Sequence, residues 1–361
     1  MVLIDKRVSA FVELGKVLLD LGKGNKSCDS AENDIQKSIQ KLDKTIQDLR
    51  QYNAWFDEAN VRRMMFSLGE SLKEDKLEKW LGMYKPAIDE KSASKTIAVI
   101  MAGNIPAVGF HDLLSVLITG NKLLAKLSSD DNKLIVAITD VLVQIEPGFD
   151  TYIQYTTEPL KSFDAVIATG SNNTSRYFEY YFSQYPHIIR KNRNGIAVIS
   201  GDETEVELEF LVSDILDYYG LGCRNVSKIF VPENYDFISL LDAIAKRKEI
   251  AENHKYFNNY EYNKAIFLVN GKKHYDSGNL LLTESTEIPS PISVLHYEYY
   301  SNYEALNSLL ETEAENTQCV VSNSPEIPKR IAFGKSQKPE LWDYADGVDT
   351  LKFLLNLQLT N

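Results

Sequence analysis

The chain has 361 residues with 44% hydrophobic and 25% charged side chains, an ordinary globular composition with room for two or three domains. Its net charge of -12 argues against nucleic acid and an anionic membrane surface, since both are held by clustered lysine and arginine. Three cysteines, Cys28, Cys223 and Cys319, show no paired spacing, so neither a disulfide framework nor a metal site is indicated and a reducing cytoplasm fits.

The chain begins MVLIDKRVSAFVELGKVLLDL, where acids and bases interrupt the apolar residues, unlike a secretory signal. No apolar run reaches the ~20 residues that span a bilayer. A cytoplasmic protein with no membrane span is expected.

In the first segment Val8, Phe11, Val12, Leu14, Val17, Leu18 and Leu21 recur at helical spacing, and Gly22 with Gly24 supplies a stop. Cys28 to Ser30 reads as a polar break. A second helix is expected from about Ala31 to Gln51, with Ile35, Ile39, Leu42, Ile46 and Leu49 forming one stripe. Asn53 to Met83 adds two shorter helices. Residues 1–94 thus read as a helical leader packed on the next domain, without a catalytic constellation.

At Lys95 strand begins to alternate with helix. The expected order is strand Thr96 to Met101, helix Val108 to Thr119, strand Lys122 to Leu127, helix Asn132 to Ile145, then short strand Tyr152 to Tyr155. Strand Ala165 to Ala168 and helix Thr174 to Phe182 follow. Crossovers of this length imply an α/β fold with a doubly wound parallel sheet, here a cofactor domain over 95–196. Ligands of such sheets bind beyond the carboxyl ends of the strands.

The stretch Gly195 to Pro232 runs from a strand through a helix ending near Tyr219 to Tyr-Gly-Leu-Gly-Cys and a strand, Val226 to Val231. Gly220 and Gly222 bracket a turn that can expose the Cys223 thiol. Beyond it come helix Ile238 to Arg247, a Tyr- and Asn-rich stretch Asn253 to Asn263, and strands Ala265 to Val269, Asn279 to Thr283 and Ile292 to His296. Helix Tyr303 to Glu311 and strand Gln318 to Ser322 complete a second α/β domain over 197–325. The return segment 326–361 ends in Leu351 to Leu359, read as an edge strand. His111, His187, His254, His274 and His296 are scattered without metal-ligand spacing.

Four loops join Cys223 as candidates. Asn104, in Gly103-Asn104-Ile105-Pro106, offers an amide to an oxyanion or a helix cap, with Pro106 starting the helix. Lys126 ends a strand, where it could bond ribose or phosphate. Thr169-Gly170-Ser171 opens a helix, where free N–H groups cradle an anion or are simply capped. Glu287, in Thr286-Glu287-Ile288-Pro289-Ser290-Pro291, could accept from ribose hydroxyls.

In this order the five motifs resemble the aldehyde dehydrogenase superfamily from Lys95 to about Gly334. The resemblance implies a two-domain aldehyde dehydrogenase-like fold, Cys223 as nucleophile, Asn104 as oxyanion donor, and Lys126, Thr169, Gly170, Ser171 and Glu287 as contacts to NADPH or NADH. The helical leader with Asn53-Ala54-Trp55-Phe56 looks like the acyl-CoA reductase branch typified by the LuxC-like fatty-acid reductase. In aldehyde-oxidising members a glutamate activates water for deacylation, and the aligned position here is Ile189, beside Arg190 and Lys191. The expectation is therefore NAD(P)H-dependent reduction of an acyl-CoA substrate to a fatty aldehyde through a thioester on Cys223. The alternatives are oxidation of aldehydes to acids and a catalytically silent binding subunit. A second copy of the chain or an acyl-transfer protein is the candidate partner.

Overall fold

The structure, a computed structural model, describes residues 2–25, 33–89 and 93–357. Cys28, the expected helix start at Ala31 and the last residues of the expected edge strand lie outside them. The chain divides into two compact units, Met1–Lys191 with Pro339–Asn361, and Asn192–Lys338.

The first unit opens with helices α1 (Ile4–Gly22), α2 (Asp34–Asp48), α3 (Glu58–Ser71), α4 (Glu74–Leu81) and α5 (Lys85–Asp89). Asn33 caps α2 by accepting from the Gln36 amide at 2.9 Å while the Gln36 side chain accepts from the Asn33 amide, satisfying two donors that a helix start would otherwise leave open. Phe11, Leu14 and Leu18 of α1 are fully buried, as their spacing predicts. Helices α1 and α3 approach closely because Gly69 has no side chain: a Cβ there would fall 2.7 Å from the Gly15 carbonyl oxygen. Helices α1 and α2 also pack on α7 (Leu134–Ile145), which covers the sheet.

That sheet is built from β1 (Thr96–Ile100), β2 (Lys122–Lys126), β3 (Ile153–Thr156), β4 (Ala165–Thr169) and β5 (His187–Arg190), with α6 (Phe110–Ile118) and α8 (Asn172–Phe182) among the crossovers. Its order is β3-β2-β1-β4-β5, and every pair is parallel. Ile97 to Val99 and Ala165 to Ala168 are buried, as strands covered on both faces must be. Strand β5 has no counterpart in the sequence reading, because only four residues form it between a Pro-bounded turn and a basic run.

The second unit carries β6 (Asn194–Val198), α9 (Glu205–Leu216), β7 (Val226–Pro232), α10 (Ile238–Ala245), α11 (His254–Val269), β8 (Tyr275–Asp276), β9 (Leu281–Glu284), β10 (Val294–Tyr300), α12 (Tyr303–Thr312) and β11 (Thr317–Val321). The sheet order is β11-β6-β7-β10-β9-β8, parallel except where β8 meets β9. Ile196, Val198 and Phe230 form part of its core with Ile288, Leu306 and Ile327.

Two expectations about elements are corrected. The Tyr- and Asn-rich stretch and the strand Ala265 to Val269 are one helix, α11. Asn253 caps it by accepting from the Lys255 and Tyr256 amides, and Tyr256, Tyr260, Asn263 and Phe267 fall on one buried face at helical spacing. The tail is also helical rather than an edge strand. In α13 (Thr350–Asn356) Asp349 accepts from the Lys352 amide at 2.8 Å, and Leu351, Leu354 and Leu355 form a buried i, i+3, i+4 set.

Candidate active site

In the first sheet Ile100, the last residue of β1, lies in register with Lys126 of β2 on one side and Ala168 of β4 on the other. The segments that follow these strands therefore share one edge. Asn104, Lys126, Thr169, Gly170 and Ser171 are brought together there. The chain leaves central β1 toward β2 and returns on its other side through β4, which makes this edge a topological switch point.

The loop after β1 is pressed against the loop after β2. A Cβ on Gly103 would sit 2.6 Å from the Ser128 hydroxyl oxygen, so the close approach requires glycine. Asn104 is exposed. Pro106 does not start the helix as expected: residues 106–109 form a turn with Ala107 at φ 56, and α6 begins at Phe110. The turn is held by buried Asp131, whose Oδ2 accepts from the Ala107 amide at 2.8 Å. Burial pushes the Asp131 carboxyl up to about 6, against the opposing pull of the Ala107 and Leu134 amides. Asn53 ties the leader to the same region by donating to the Asp130 carbonyl at 3.2 Å. Lys126 is partly buried, and Thr169 ends β4. Ser171 caps α8 by accepting from the Thr174 amide at 3.3 Å, and a Cβ on Gly170 would fall 3.0 Å from the Phe178 ring.

Ile189 pairs with Ala168 and packs on the apolar cluster of Ala98, Val166 and Ala168. Its neighbour Arg190 is buried, bonded to the Asp112 carboxylate and donating to the Thr350 hydroxyl at 3.1 Å. The Asp112 carboxylate is thus already committed to a guanidinium.

In the second unit α9 stops at Leu216 rather than near Tyr219. The next residues take the left-handed conformation in succession: Tyr218 at φ 53, Tyr219 at φ 60 and Gly220 at φ 73. For a non-glycine residue that conformation costs about 1–2 kcal/mol. Burial of both rings, at 2% and 7% exposure, offsets it, and the Tyr219 ring lies 5.8 Å from that of Tyr256.

The turn is then clamped by one buried amide. Asn225 accepts from the Gly222 N–H at 2.8 Å, while its NH2 group donates to the Asp214, Ile215 and Asp217 carbonyls at 3.0, 3.3 and 2.9 Å. Those carbonyls belong to the end of α9, where a helix runs out of backbone partners. Asp214 itself accepts from the Gly334 and Ser336 amides at 2.6 and 3.0 Å, and burial pushes it up to about 6. Held between the clamp and the glycines, Cys223 is exposed. Gly195 of β6 lies against this turn so closely that a Cβ would meet the Arg224 carbonyl oxygen at 2.6 Å.

The loop carrying Glu287 is held by its carbonyls. Lys228 donates to Thr286 at 2.8 Å, Ser227 to Ile288 at 2.7 Å, and the His296 ring lies 2.9 Å from the Glu287 oxygen. Lys228 is 1% exposed and also bonds the Glu298 carboxylate. Burial lowers the pKa of His296 below the usual histidine range, so its Nδ1–H donates from a neutral ring. The Glu287 side chain is exposed. Sequence reasoning missed Asn225, Ser227, Lys228 and His296 as shaping residues. The one visible signal was a lysine inside the apolar run Val226 to Val231.

No protein-family model matches the chain, and no curated protein matches it in sequence. Solved structures do match. Aldehyde dehydrogenase 21 from Physcomitrella patens, in complex with the reaction product succinate, superposes with a TM-score of 0.61 at 11% identity, covering 98% of this chain and 87% of that one. The Mycobacterium tuberculosis aldehyde dehydrogenase complexed with NAD+ gives 0.56 at 12% identity, over 89% and 77%. Indole-3-acetaldehyde dehydrogenase AldA of P. syringae, in complex with NAD+ and IAA, gives 0.55 at 12% identity, over 91% and 77%.

The fold is therefore that of the aldehyde dehydrogenases, with two α/β domains and a helical N-terminal part. The same finding corrects the expectation of an acyl-CoA reductase. The structures that match are aldehyde dehydrogenases, and they favour the oxidising alternative over the LuxC-like branch.

Proposed function

We propose that this chain, with its aldehyde dehydrogenase fold, oxidises an aldehyde to the carboxylic acid with NAD(P)+ through a covalent adduct on Cys223. The observation that carries the reading is the exposure of Cys223 on a turn whose left-handed backbone is held by a buried amide. Strain of this kind persists where the surroundings over-determine it, and such places cluster at functional sites.

The carboxyl edge of the first sheet suits a dinucleotide. Gly103 and Gly170 leave no side chain where the backbone is already in close contact, and α8 opens at the switch point. Ser171 and Thr169 would meet phosphate, while Lys126 would bond ribose hydroxyls. Bound nicotinamide would supply the hydride acceptor.

Cys223 thiolate adds to the aldehyde carbonyl, and the oxyanion takes a hydrogen bond from the Cys223 amide. Loss of hydride converts the adduct to a thioester on Cys223, and water cleaves it to the acid. With Ile189 in place of a carboxylate and Asp112 paired to Arg190, the water lacks the usual base, worth about 10²–10⁴ in rate. Deacylation is then the slow step.

Rapid mixing with an aldehyde panel and NAD+ or NADP+ tests this. One equivalent of reduced cofactor should form in a burst, followed by slow turnover that hydroxylamine accelerates. The reading fails if acid does not form from any aldehyde, in which case the catalytically silent subunit gains, or if Cys223→Ala leaves the burst intact.

A further inference from the structure

Cys319 lies on β11 beside Gly195 and is 8% exposed. Gly195 in turn is hydrogen bonded to Asn225, with its amide donating to that carbonyl at 2.9 Å. Strands β11 and β7 flank β6, so side chains rooted on them are separated by two strand spacings, about 10 Å. The missing side chain at Gly195 removes the obstacle between them. As a result the Cys319 Sγ reaches across β6 and donates to the Arg224 carbonyl oxygen at 3.8 Å. Arg224 is the residue after Cys223. One thiol is therefore exposed on the turn, and a second is sheltered against the peptide next to it.

We propose that Cys319 is the resolving thiol for Cys223, so that a hydroperoxide converts the pair reversibly to a disulfide. The proposal rests on the reading of Cys223 as a reactive thiolate. Cys223 sulfur attacks the peroxide: an S–O bond forms, the O–O bond breaks and hydroxide leaves, giving the sulfenic acid. Cys319 sulfur then attacks Cys223 sulfur, the S–S bond forms and the hydroxyl departs as water with the thiol proton. Hydrogen peroxide is reduced to two waters while two thiols are oxidised. Closure needs the two Cα atoms within about 7 Å, and the Cys319 sulfur already lies against the carbonyl of the residue that follows Cys223. Without a resolving thiol the sulfenic acid would proceed to sulfinic acid, which thiols do not reverse.

The full-length protein treated with one equivalent of hydrogen peroxide, digested without reductant and analysed by mass spectrometry should yield a peptide linking Cys223 to Cys319. Free thiols should fall from three to one, and dithiothreitol should restore them. With several equivalents of hydrogen peroxide, Cys319→Ser, and separately Cys319→Ala in case serine is poorly tolerated in the strand, should lose the link and accumulate Cys223 with two added oxygens. Its recovery of thiol after dithiothreitol should fall about tenfold below wild type. A link through Cys28, a link between molecules, or equal recovery in both Cys319 variants would overturn the proposal. The mapping reads sulfur chemistry without turnover. A disulfide in a protein that oxidises no aldehyde therefore leaves this inference standing and removes the function, whereas turnover without the link does the reverse.

Discussion

The turn at Cys223 and the loop at Asn104 are both held by one buried side chain, but by chemically different ones. Asn225 is a neutral amide that satisfies three helix-end carbonyls and one N–H. Asp131 is a carboxylate pushed up to about 6, accepting from the Ala107 amide. The amide of the first clamp has no proton to gain or lose. The second strengthens when Asp131 is charged, because a charged acceptor holds an N–H more tightly. Proton concentration thus acts on the Asn104 loop directly and bypasses the amide that fixes the Cys223 turn.

The largest expected effect falls on the first region. Cys223→Ala should lower aldehyde oxidation by more than about 10³-fold, while its unfolding free energy in urea stays within about 0.5 kcal/mol of wild type because the side chain is exposed. An unfolding shift larger than that would mean that the thiol has a structural duty.

Next is Asn225→Ala, which strands an N–H and three carbonyls in a buried turn. A loss of about 3 kcal/mol in chemical denaturation is expected, together with faster alkylation of Cys223. Unchanged stability would show that the neighbouring glycines carry the turn without the clamp.

Asp131→Asn tests the other region. Between about pH 4 and 6 the folded carboxyl keeps a proton that the unfolded chain, with a model value of 3.8, has released. Stability therefore falls as pH rises through that window, by up to about 3 kcal/mol for a shift of this size. Asp214, also pushed up to about 6, adds a loss of the same sign. The variant should keep only the Asp214 part of the slope. A profile identical to wild type would remove Asp131 from the account.

The smallest effect belongs to Gly103→Ala, whose added carbon would meet the Ser128 hydroxyl at 2.6 Å. Moving that side chain should cost about 1 kcal/mol and raise KM for the cofactor several-fold with little change in kcat. A fall in kcat with KM unchanged would detach this loop from cofactor binding.

The sequence made the repeating strand and helix order of the first sheet legible, because buried strands and amphipathic crossovers leave opposite periodicities. It also made the order of the five loops legible. It did not reveal α11, whose helical face is built from Tyr256, Tyr260 and Phe267, residues of high strand preference. Nor did it show the left-handed pair Tyr218 and Tyr219, since nothing in a tyrosine announces a positive φ. The residues that shape the loops escaped for a common reason. Asn225, Asp131, Lys228 and His296 act on backbone atoms distant in the chain, and a backbone atom has no letter in the sequence.

That last point has a practical side at Glu287. The path of residues 286–288 is drawn by Lys228, Ser227 and His296, which grip carbonyl oxygens from the strands beneath. Carbonyls are common to all twenty amino acids. The outward positions 286, 287 and 289 can therefore be rewritten in a library while the trace of the loop is inherited unchanged, provided Ile288 stays in its apolar socket. The side chains of this loop are editable independently of the scaffold that presents them.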